Sequence, residues 1–308
     1  MRAAVRDRYG PPEVVYLEDI PTPTPTGDEI LVRVHAASVN RADLDNLYPR
    51  WAFLRLFLGM RRPRERRVGL DVAGVVEAVG PDVTSFRPGD RVFADLYAHG
   101  LGALAEFVCA RERAFLRLAD DISFEDGAAL PHSAVLAVQG LRFRGRAVGA
   151  GDRLLVIGAS GNVGPFAVQI AKASGAEVTG TARTTKLDFI RSLGVDHAID
   201  YTTTDALAER DRYDWILDVD GNATLRPARR ALRPGGVYLT LGGSGWRIIA
   251  AMAFGPVLSR RSGGRHLGLM LAWRPFEPAD VATLTDLFSG YALDDSTVMD
   301  EVLSTIEM

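Results

Sequence analysis

The chain has 308 residues, 47% of them apolar and 24% charged, a composition typical of a globular protein of about two domains. Its formal net charge of −3 excludes a general electrostatic attraction to nucleic acid or to a membrane surface. The single cysteine, Cys109, excludes a disulfide within the chain and any zinc site that needs several thiolates.

Neither a signal peptide nor a membrane-spanning helix is indicated by the hydrophobic pattern. The start MRAAVRDRYG lacks an apolar core, and the longest apolar run, IIAAMAFGPVL, is shorter than the roughly 20 residues that a spanning helix needs. We therefore expect a cytoplasmic protein without stable membrane insertion.

The first 122 residues predict a β-rich domain, an irregular barrel or sandwich. Glycine and proline turns separate short strand-like segments, which are Leu31–His35, Val72–Val79, Asp90–Phe93 and Ala105–Cys109. In the segment GLDVAGVVEAVG we expect Val72, Val75 and Val79 to contribute to the core.

From Ser123 the pattern changes to alternating helices and strands. Ser123 followed by Asp126 resembles a capping box and predicts a helix start. The strands DRLLVIG, AEVTGTA and DWILDVD alternate with the helices VGPFAVQIAKASG and KLDFIRSLG, which predicts a doubly wound parallel α/β sheet. After Gly243 the regularity fades, before an apolar run HLGLMLAW and a final helix PADVATLTDLFSG.

One strand-to-helix turn has the features of a dinucleotide-binding loop. Residues 159–164, Ala-Ser-Gly-Asn-Val-Gly, fit the pattern Gly-x-Gly-x-x-Gly with alanine at the first glycine. Gly161 would let the backbone approach a pyrophosphate, and Gly164 would let the helix pack on the strand. A plain tight turn is the alternative, but strand, loop and helix follow the order that a βαβ unit requires. The expected cofactor contacts of this loop are Ser160, Gly161, Asn162, Val163 and Gly164.

The end of the second strand favours NADPH over NADH. An NAD site has an acidic residue about 20 residues after the loop, whereas this chain has Thr181, Arg183 and the nearby Lys186. Both cations could bind a 2′-phosphate, and the alternative is that they are solvated surface charges. Gly242 and Gly243 end a later strand, where ligands also gather, so all five residues are expected cofactor contacts.

With these motifs in place, the sequence resembles the zinc-independent quinone oxidoreductase (zeta-crystallin-like) branch of the medium-chain dehydrogenase/reductase superfamily. The blocks HAASVN, GLDVAGVVEAVG, FRPGDRVF, GASGNVGPFAVQIAKASGAEVTGTAR, SLGVDHAIDY and LRPGG follow the family order. The resemblance implies a GroES-like β-rich catalytic domain plus a doubly wound Rossmann domain. It assigns 1–122 to the catalytic domain, 123–255 to the NADP-binding Rossmann domain, and 256–308 to a shortened segment that returns to the catalytic domain. It also implies a homodimer.

The resemblance further implies chemistry without zinc. Zinc-dependent relatives have Gly-His-Glu where this chain has Gly69, Leu70 and Asp71, and Leu70 cannot bind a metal. We therefore expect no metal site, and we expect Asp71 to be a structural hydrogen-bonding residue.

The function implied by the resemblance is hydride transfer from NADPH to a quinone or an α,β-unsaturated carbonyl compound. Without a Lewis acid, reduction of a conjugated C=C bond is easier than alcohol oxidation, because a hydrogen-bond donor can stabilise the developing enolate. Two alternatives stay open: an NADPH-binding pseudoenzyme that acts as a sensor or interaction protein, and a biosynthetic-pathway reductase with one narrow substrate.

Three residues are candidate catalytic residues. Asn40 matches the family's active-site asparagine, and a helix cap in RADL is its alternative role. Tyr48 lies where relatives have an aromatic donor, but it could equally serve packing. His132, in ALPHSAVL, could donate a proton near neutral pH, against the alternative of a packed histidine. Asp43 corresponds to a frequent family aspartate, for which we expect a structural hydrogen bond.

Two further segments are notable: one for its composition, and one for its difference from the family pattern. An apolar and aromatic run after Tyr48 leads into the basic stretch Arg61–Arg67, which could be a substrate-entry flap, a surface for membrane or nucleic acid, or a solvated loop. The overall acidity argues against nucleic acid, so we expect no such partner. Near the C-terminus, Tyr291–Asp295 echo a family motif, and the family's closing strand is missing. We expect a catalytic domain that is rebuilt, completed by a partner subunit, or weakened.

Overall fold

The computed structural model describes residues 1–49, 55, 58–242, 245–260 and 263–270. The chain divides into two compact units, Met1–His132 and Ser133–Met308, and each is described by itself. Within the described ranges, no helix combines the length and the apolar character that crossing a membrane requires.

The first unit contains seven strands among its described residues. They are β1 (Arg2–Val5), β2 (Tyr16–Asp19), β3 (Glu29–Ser38), β4 (Asp71–Val79), β5 (Arg91–Asp95), β6 (Phe107–Arg111) and β7 (Phe115–Arg117). An antiparallel sheet has the order β6-β3-β4-β5-β7, and β1 and β2 form a separate antiparallel pair. The predicted β-rich architecture of this region is therefore confirmed.

The core of this unit comes from alternate residues of the sheet. Val72 and Val76 are fully buried, whereas Val75 is only half-buried opposite Arg33 on β3. Side chains of a strand alternate between its faces, so Val72 and Val76 share a face that Val75 does not. The expectation of Val75 in the core was wrong. Val79 packs at the edge of the same cluster as predicted.

Two short helices complete the first unit. Helix α1 (Arg41–Leu47) follows β3, and helix α2 (Phe124–Ala129) packs on β3 and β4. Ser123 caps α2: its hydroxyl oxygen accepts the N–H of Asp126 at 3.0 Å and donates to the Asp126 carboxylate at 2.6 Å. The helix start predicted from Ser123 and Asp126 is confirmed.

The second unit is built on a parallel sheet of six strands. They are β10 (Arg153–Ile157), β11 (Glu177–Ala182), β12 (His197–Asp200), β13 (Tyr213–Asp218), β14 (Leu232–Thr240) and β15 (His266–Leu269). The order β12-β11-β10-β13-β14-β15 is the doubly wound order 3-2-1-4-5-6. A small hairpin of β8 (Arg142–Phe143) and β9 (Arg146–Ala147) precedes it. The predicted Rossmann sheet is confirmed.

Helices connect these strands. They are α3 (Pro131–Gly140), which begins at the boundary between the units, α4 (Gly164–Ala173), α5 (Leu187–Ser192), α6 (Leu225–Ala231) and α7 (Gly245–Arg260). Trp215 of β13 is fully buried, and its indole N–H donates to the Gly140 carbonyl at 3.0 Å. Buried apolar residues on both sides of the sheet hold the helices against it.

The segment after Gly243 corrects the sequence analysis. Where regularity was expected to fade, the 16-residue helix α7 forms, although it contains Gly255 and Pro256. A Cβ at Gly255 would lie 2.5 Å from the Leu267 carbonyl, so the glycine permits α7 to approach β15 closely. Packing on β15 overrides the weak helix propensity of this stretch.

The predicted domain boundaries differ from these observations at two points. Helix α2, assigned from sequence to the Rossmann domain, packs on the antiparallel sheet. Strand β15, assigned to the return segment 256–308, pairs with β14 in the parallel sheet. The remainder of that return segment, including Tyr291–Asp295, lies outside the described residues.

Candidate active site

The turn after β10 has the tight geometry expected of a nucleotide loop. A Cβ at Gly164 would lie 2.3 Å from the Gly158 carbonyl oxygen, so only glycine lets α4 begin this close to the strand. A Cβ at Gly161 would meet nothing nearer than 3.5 Å, which leaves space above the loop backbone. The loop therefore provides the close approach that a pyrophosphate needs.

The start of α4 is open to an anion. Val163 is the N-cap residue and offers no side-chain acceptor to the first N–H groups of the helix. Pro165 lies in the first turn, where its missing N–H removes no helical hydrogen bond. Backbone N–H groups at a helix start, together with the helix dipole, favour a phosphate. Ser160, Gly161 and Asn162 are half-buried beside this start.

Thr181, on β11, holds the nucleotide loop by two hydrogen bonds. It is buried, its hydroxyl accepts the Gly158 N–H at 3.2 Å, and its carbonyl accepts the Ala159 N–H at 3.0 Å. The structure thus gives Thr181 the task of holding the loop on β11, and its predicted direct cofactor contact stays a prediction.

The two cations predicted to bind the 2′-phosphate, Arg183 and Lys186, follow the end of β11 among polar side chains. Arg183 is exposed, and its Nε donates to the Tyr201 hydroxyl at 2.8 Å. Lys186 is half-buried in the 3-10 turn that follows. Thr184 donates its hydroxyl to Asp200, and this hydrogen bond is the main cause that lowers the pKa of Asp200. Sequence reasoning missed Asp200 and Tyr201, because they lie at the end of β12, the next strand along the chain.

The ends of β13 and β14 complete this edge of the sheet. Asp218 is fully buried and accepts N–H groups of Asn222 and Ala223 and the Tyr238 hydroxyl, at 2.9 to 3.3 Å. Gly242 is half-buried, and its carbonyl accepts the hydroxyl of Thr240 at 3.0 Å. Gly243 and Ser244 lie outside the described residues.

A separate polar cluster lies in the first unit, at the ends of three strands. The antiparallel register pairs Ser38 with Asp71 and Asp71 with Asp95, so these side chains form a row across β3, β4 and β5. Asp71 and Asp95 are 1% and 5% exposed, and His132 at the start of α3 is 9% exposed. The register therefore buries two carboxylates beside one imidazole.

His132 is bound to both carboxylates. Its Nδ1 lies 2.9 Å from Asp95 Oδ2, and its backbone N–H donates to Asp71 Oδ1 at 3.1 Å. Burial acts to lower the pKa of His132, but the hydrogen bond and charge of Asp95 outweigh it, so the pKa is raised. The ring of Tyr97 lies 6.0 Å from the imidazole, and the Tyr97 N–H donates to Asp95 Oδ1 at 2.8 Å. The hydrogen bond and charge of Asp95 therefore favour the protonated form of this imidazole and fix the orientation of its ring.

Asn40 joins the same cluster. Its Nδ2 donates to Asp71 Oδ2 at 2.9 Å, and its Oδ1 accepts the Ala42 N–H at 2.8 Å as the N-cap of α1. Its own N–H donates to Asp43 Oδ2 at 2.9 Å, which completes a capping box. The capping alternative is therefore present in the structure, while a contact with substrate stays a prediction. Asp71 is a buried hydrogen-bonding residue, as expected.

Burial strongly affects the acids of this cluster. Burial raises the pKa of Asp43 to about 6, against weaker opposing effects that include the Asn40 N–H and the His132 charge. Burial and the Asp95 charge raise the pKa of Asp71 well above its usual value. Sequence reasoning did not find Asp95, because only the register of β4 and β5 brings it beside His132.

The side chains of Tyr48 and Leu70 take no part in the hydrogen bonds described for this cluster. Tyr48 is the C-cap residue of α1 and is 55% exposed. Leu70 is 1% exposed and offers no ligand atom at the position that holds a metal-binding histidine in zinc-dependent relatives. In the described ranges, no three His, Cys, Asp or Glu side chains are grouped so that they could hold a metal ion.

The basic stretch Arg61–Arg67 is partly neutralised in the first unit. Arg66 forms ion pairs with Asp7 at 2.8 Å and Glu18 at 2.7 Å, and Arg67 pairs with Glu65 at 2.9 Å. The two pairs of Arg66 tie the stretch to Glu18 on β2 and to Asp7, which follows β1, while the pair of Arg67 lies within the stretch. They favour a structural role for Arg66 and Arg67.

Two known protein families match this chain, one in each unit. The family described as "Alcohol dehydrogenase GroES-like domain" matches residues 26–120, and "Zinc-binding dehydrogenase" matches residues 162–263. Quinone-oxidoreductase QR1, chloroplastic, from Triphysaria versicolor is 33% identical over 231 residues, which are 70% of this chain and 67% of that protein. The NADPH-dependent alkenal/one oxidoreductase, chloroplastic, from Arabidopsis thaliana is 33% identical over 253 residues, 79% of this chain and 63% of that protein.

A solved structure gives the same result over the whole chain. The quinone oxidoreductase from Coxiella burnetii superimposes with a TM-score of 0.81 at 26% identity, over 100% of this chain and 95% of that one. The curated relatives are longer than this chain, which covers 61% to 67% of the length of eight of them.

Proposed function

Because the chain belongs to the medium-chain dehydrogenase/reductase superfamily, in its zinc-independent quinone oxidoreductase-like branch, we propose that it is an NADPH-dependent reductase of quinones or α,β-unsaturated carbonyl compounds. The observation that carries the proposal is the glycine loop at the switch point of the six-stranded sheet, between β10 and β13. The similarity to an alkenal/one oxidoreductase and to quinone oxidoreductases supports the acceptor class.

The residues of the second unit fit a bound NADPH. The loop of Ser160 to Gly164 and the uncapped start of α4 would hold the pyrophosphate. Arg183 and Lys186, at the end of β11, would hold the 2′-phosphate with charge-assisted hydrogen bonds. Tyr201 orients the guanidinium of Arg183 through its hydroxyl. Bound NADPH would supply a hydride at its nicotinamide ring.

The proposed reaction also needs a proton donor. When a conjugated carbonyl compound is reduced at its β-carbon, negative charge develops on the carbonyl oxygen, and a positioned donor stabilises it. We assign this task to His132, because Asp95 raises the pKa of its imidazole and orients the ring through Nδ1. The Asp71 carboxylate accepts the His132 backbone N–H at 3.1 Å and the Asn40 side-chain amide at 2.9 Å, which holds the start of α3 in place. A quinone spreads the charge over its ring and needs this donor less.

Loss of NADPH absorbance in the presence of an acceptor panel tests the proposal. The panel contains benzoquinones, naphthoquinones, aliphatic enones and saturated ketones, each with the wild-type chain and with His132→Gln. We expect oxidation of NADPH with quinones or enones and none with saturated ketones. We expect His132→Gln to slow enone reduction more than quinone reduction. Tight NADPH binding without turnover of any acceptor would instead favour the pseudoenzyme alternative.

A further inference from the structure

Asp220 stands at the switch point of the parallel sheet, where no residue that the structure describes pairs with its carboxylate. It follows β13, whose last residue Asp218 pairs in register with Ile157 of β10. The Val219 N–H donates to the Ile157 carbonyl at 3.0 Å, so the chain at Asp220 continues beside Gly158. This is the place where the two halves of a doubly wound sheet diverge and where a dinucleotide binds.

The Asp220 carboxyl group lies directly on the nucleotide loop. A Cβ built on Gly158 would be 2.7 Å from Asp220 Cγ and 2.7 and 2.9 Å from its two oxygens. Gly158 has a φ of +84°, in the left-handed region that favours glycine. The glycine therefore meets two requirements: its backbone turns the chain into the loop, and its missing side chain leaves room for the carboxyl group.

No described residue donates a hydrogen bond to this carboxylate. Among the described residues, Asp220 takes part in no hydrogen bond and no ion pair, although the residue as a whole is exposed. Packing against the loop desolvates the group, and the Asp218 carboxylate adds repulsion; both raise the pKa of Asp220. The carboxylate therefore keeps its acceptor oxygens available at the nucleotide loop, where a ligand with hydroxyl donors could use them.

The position of Asp220 identifies which part of the cofactor it would meet. The half of the sheet formed by β10, β11 and β12 carries the glycine loop and Arg183, and so takes the adenosine side of a dinucleotide. The half that begins at β13 takes the other mononucleotide. In dinucleotide-binding folds a carboxylate recognises ribose by accepting hydrogen bonds from its hydroxyls.

We propose that Asp220 binds the ribose hydroxyls of the nicotinamide half of the cofactor. The inference rests on the proposed function, since it assumes that the sheet binds NADPH. An ionised carboxylate has only acceptors, and two adjacent ribose hydroxyls have two donors, so the two groups match in number and geometry. Asp220 thereby orients the nicotinamide ring from the ribose side.

Binding measurements with two ligands test this assignment. Isothermal titration with NADPH and with adenosine 2′,5′-bisphosphate, which lacks the nicotinamide half, is made on the wild type, Asp220→Ala and Asp220→Asn. A lost hydrogen bond to a charged group should weaken NADPH binding of Asp220→Ala about tenfold or more. Asp220→Asn keeps one acceptor oxygen, and we expect a smaller loss. Affinity for adenosine 2′,5′-bisphosphate should stay unchanged in both variants.

Glu209→Gln is the matched control. Glu209 precedes β13 at the amino-terminal edge of the sheet, is exposed, and pairs with Arg212. The substitution removes one negative charge from the same unit as Asp220→Asn does, but at the opposite edge of the parallel sheet. We therefore expect unchanged affinity for both ligands. Equal NADPH affinity of wild type and Asp220→Ala would overturn the assignment, and tighter binding by the variant would show that Asp220 repels the diphosphate. A wild-type chain that binds neither ligand would overturn the proposed function as well.

Discussion

At the scale of single residues, the candidate site combines groups that sequence can identify with groups that only the fold brings together. The glycine loop, Arg183 and His132 each stand out by residue type and by position after a strand or before a helix. Asp95 does not stand out in this way, because it lies 37 residues before His132 in the sequence and meets it only in the fold. The same holds for Asp220, whose meaning comes from its contact with Gly158.

Asp95→Asn tests whether Asp95 positions and charges His132. Losing the carboxylate removes the interaction that raises the pKa of His132, while burial continues to lower it. We expect enone reduction to fall about tenfold to a hundredfold. The activity loss on raising the pH should also move to lower pH, since the imidazolium deprotonates earlier. The measurement is kcat against pH, with a saturating enone.

Asp90→Asn is the control for that experiment. Asp90 lies just before β5, at the opposite end from Asp95, and pairs with Arg117 at 2.9 Å. Its loss can reduce stability, but it should leave the pH midpoint of kcat where it is in the wild type. An Asp95→Asn variant with the wild-type pH profile would contradict the role given to Asp95.

Arg183→Ala tests the preference for NADPH. If the guanidinium binds the 2′-phosphate, its removal should weaken NADPH affinity about tenfold or more and leave NADH affinity nearly unchanged. Arg191→Ala removes a cation that pairs with Asp188 on α5, and it should change neither affinity. The ratio of the two dissociation constants is the quantity to compare. An unchanged ratio in Arg183→Ala would refute NADPH selection by this residue.

At the scale of elements, the sequence predicts those whose local pattern agrees with their packing. The β10-α4-β11 unit and the Ser123 cap of α2 follow from glycine spacing, apolar runs and a capping signal. Helix α7 was missed because Gly255 and Pro256 suggest a break, whereas Gly255 serves the close contact with β15. The expectation that Val75 lies in the core was wrong because burial on β4 depends on its register with β3.

Burial of Asp43 in the first turn of α1 makes the stability of the fold depend on pH. The Asp43 pKa is raised from 3.8 to about 6, so the folded chain holds this proton more tightly than the unfolded chain does. The resulting stabilisation is complete below about pH 4 and is lost as the pH rises through 6. The difference is at most about 3 kcal/mol in the free energy of unfolding.

Asp43→Asn should flatten this dependence. An amide is neutral at every pH and can still accept the Asn40 N–H, so the unfolding free energy should decline less between pH 4 and 6. Chemical denaturation at several pH values gives the measurement. Ser123→Ala removes an N-cap elsewhere in the unit and should cost about 1 kcal/mol at every pH. A full wild-type slope in Asp43→Asn would contradict the assignment to Asp43.

At the scale of the whole molecule, the two-part architecture was predictable because each part has its own pattern. Short strands with Gly and Pro turns characterise the first unit, and alternating strands and helices characterise the second. The boundaries were not predictable, since α2 and β15 pack on sheets that their positions in sequence do not reveal. The homodimer, the cytoplasmic location and the identity of the acceptor stay predictions.

The central claim is that the chain transfers a hydride from NADPH to an electron-poor conjugated acceptor. The most direct measurement is mass spectrometry of the product formed from an enone and NADPH that carries deuterium at both C4 positions. The account predicts one deuterium per product molecule, on the carbon β to the carbonyl, and an unlabelled proton on the α-carbon. A reduced product without deuterium at the β-carbon, or no reduced product from any enone or quinone that is offered to the NADPH-bound chain, would contradict it.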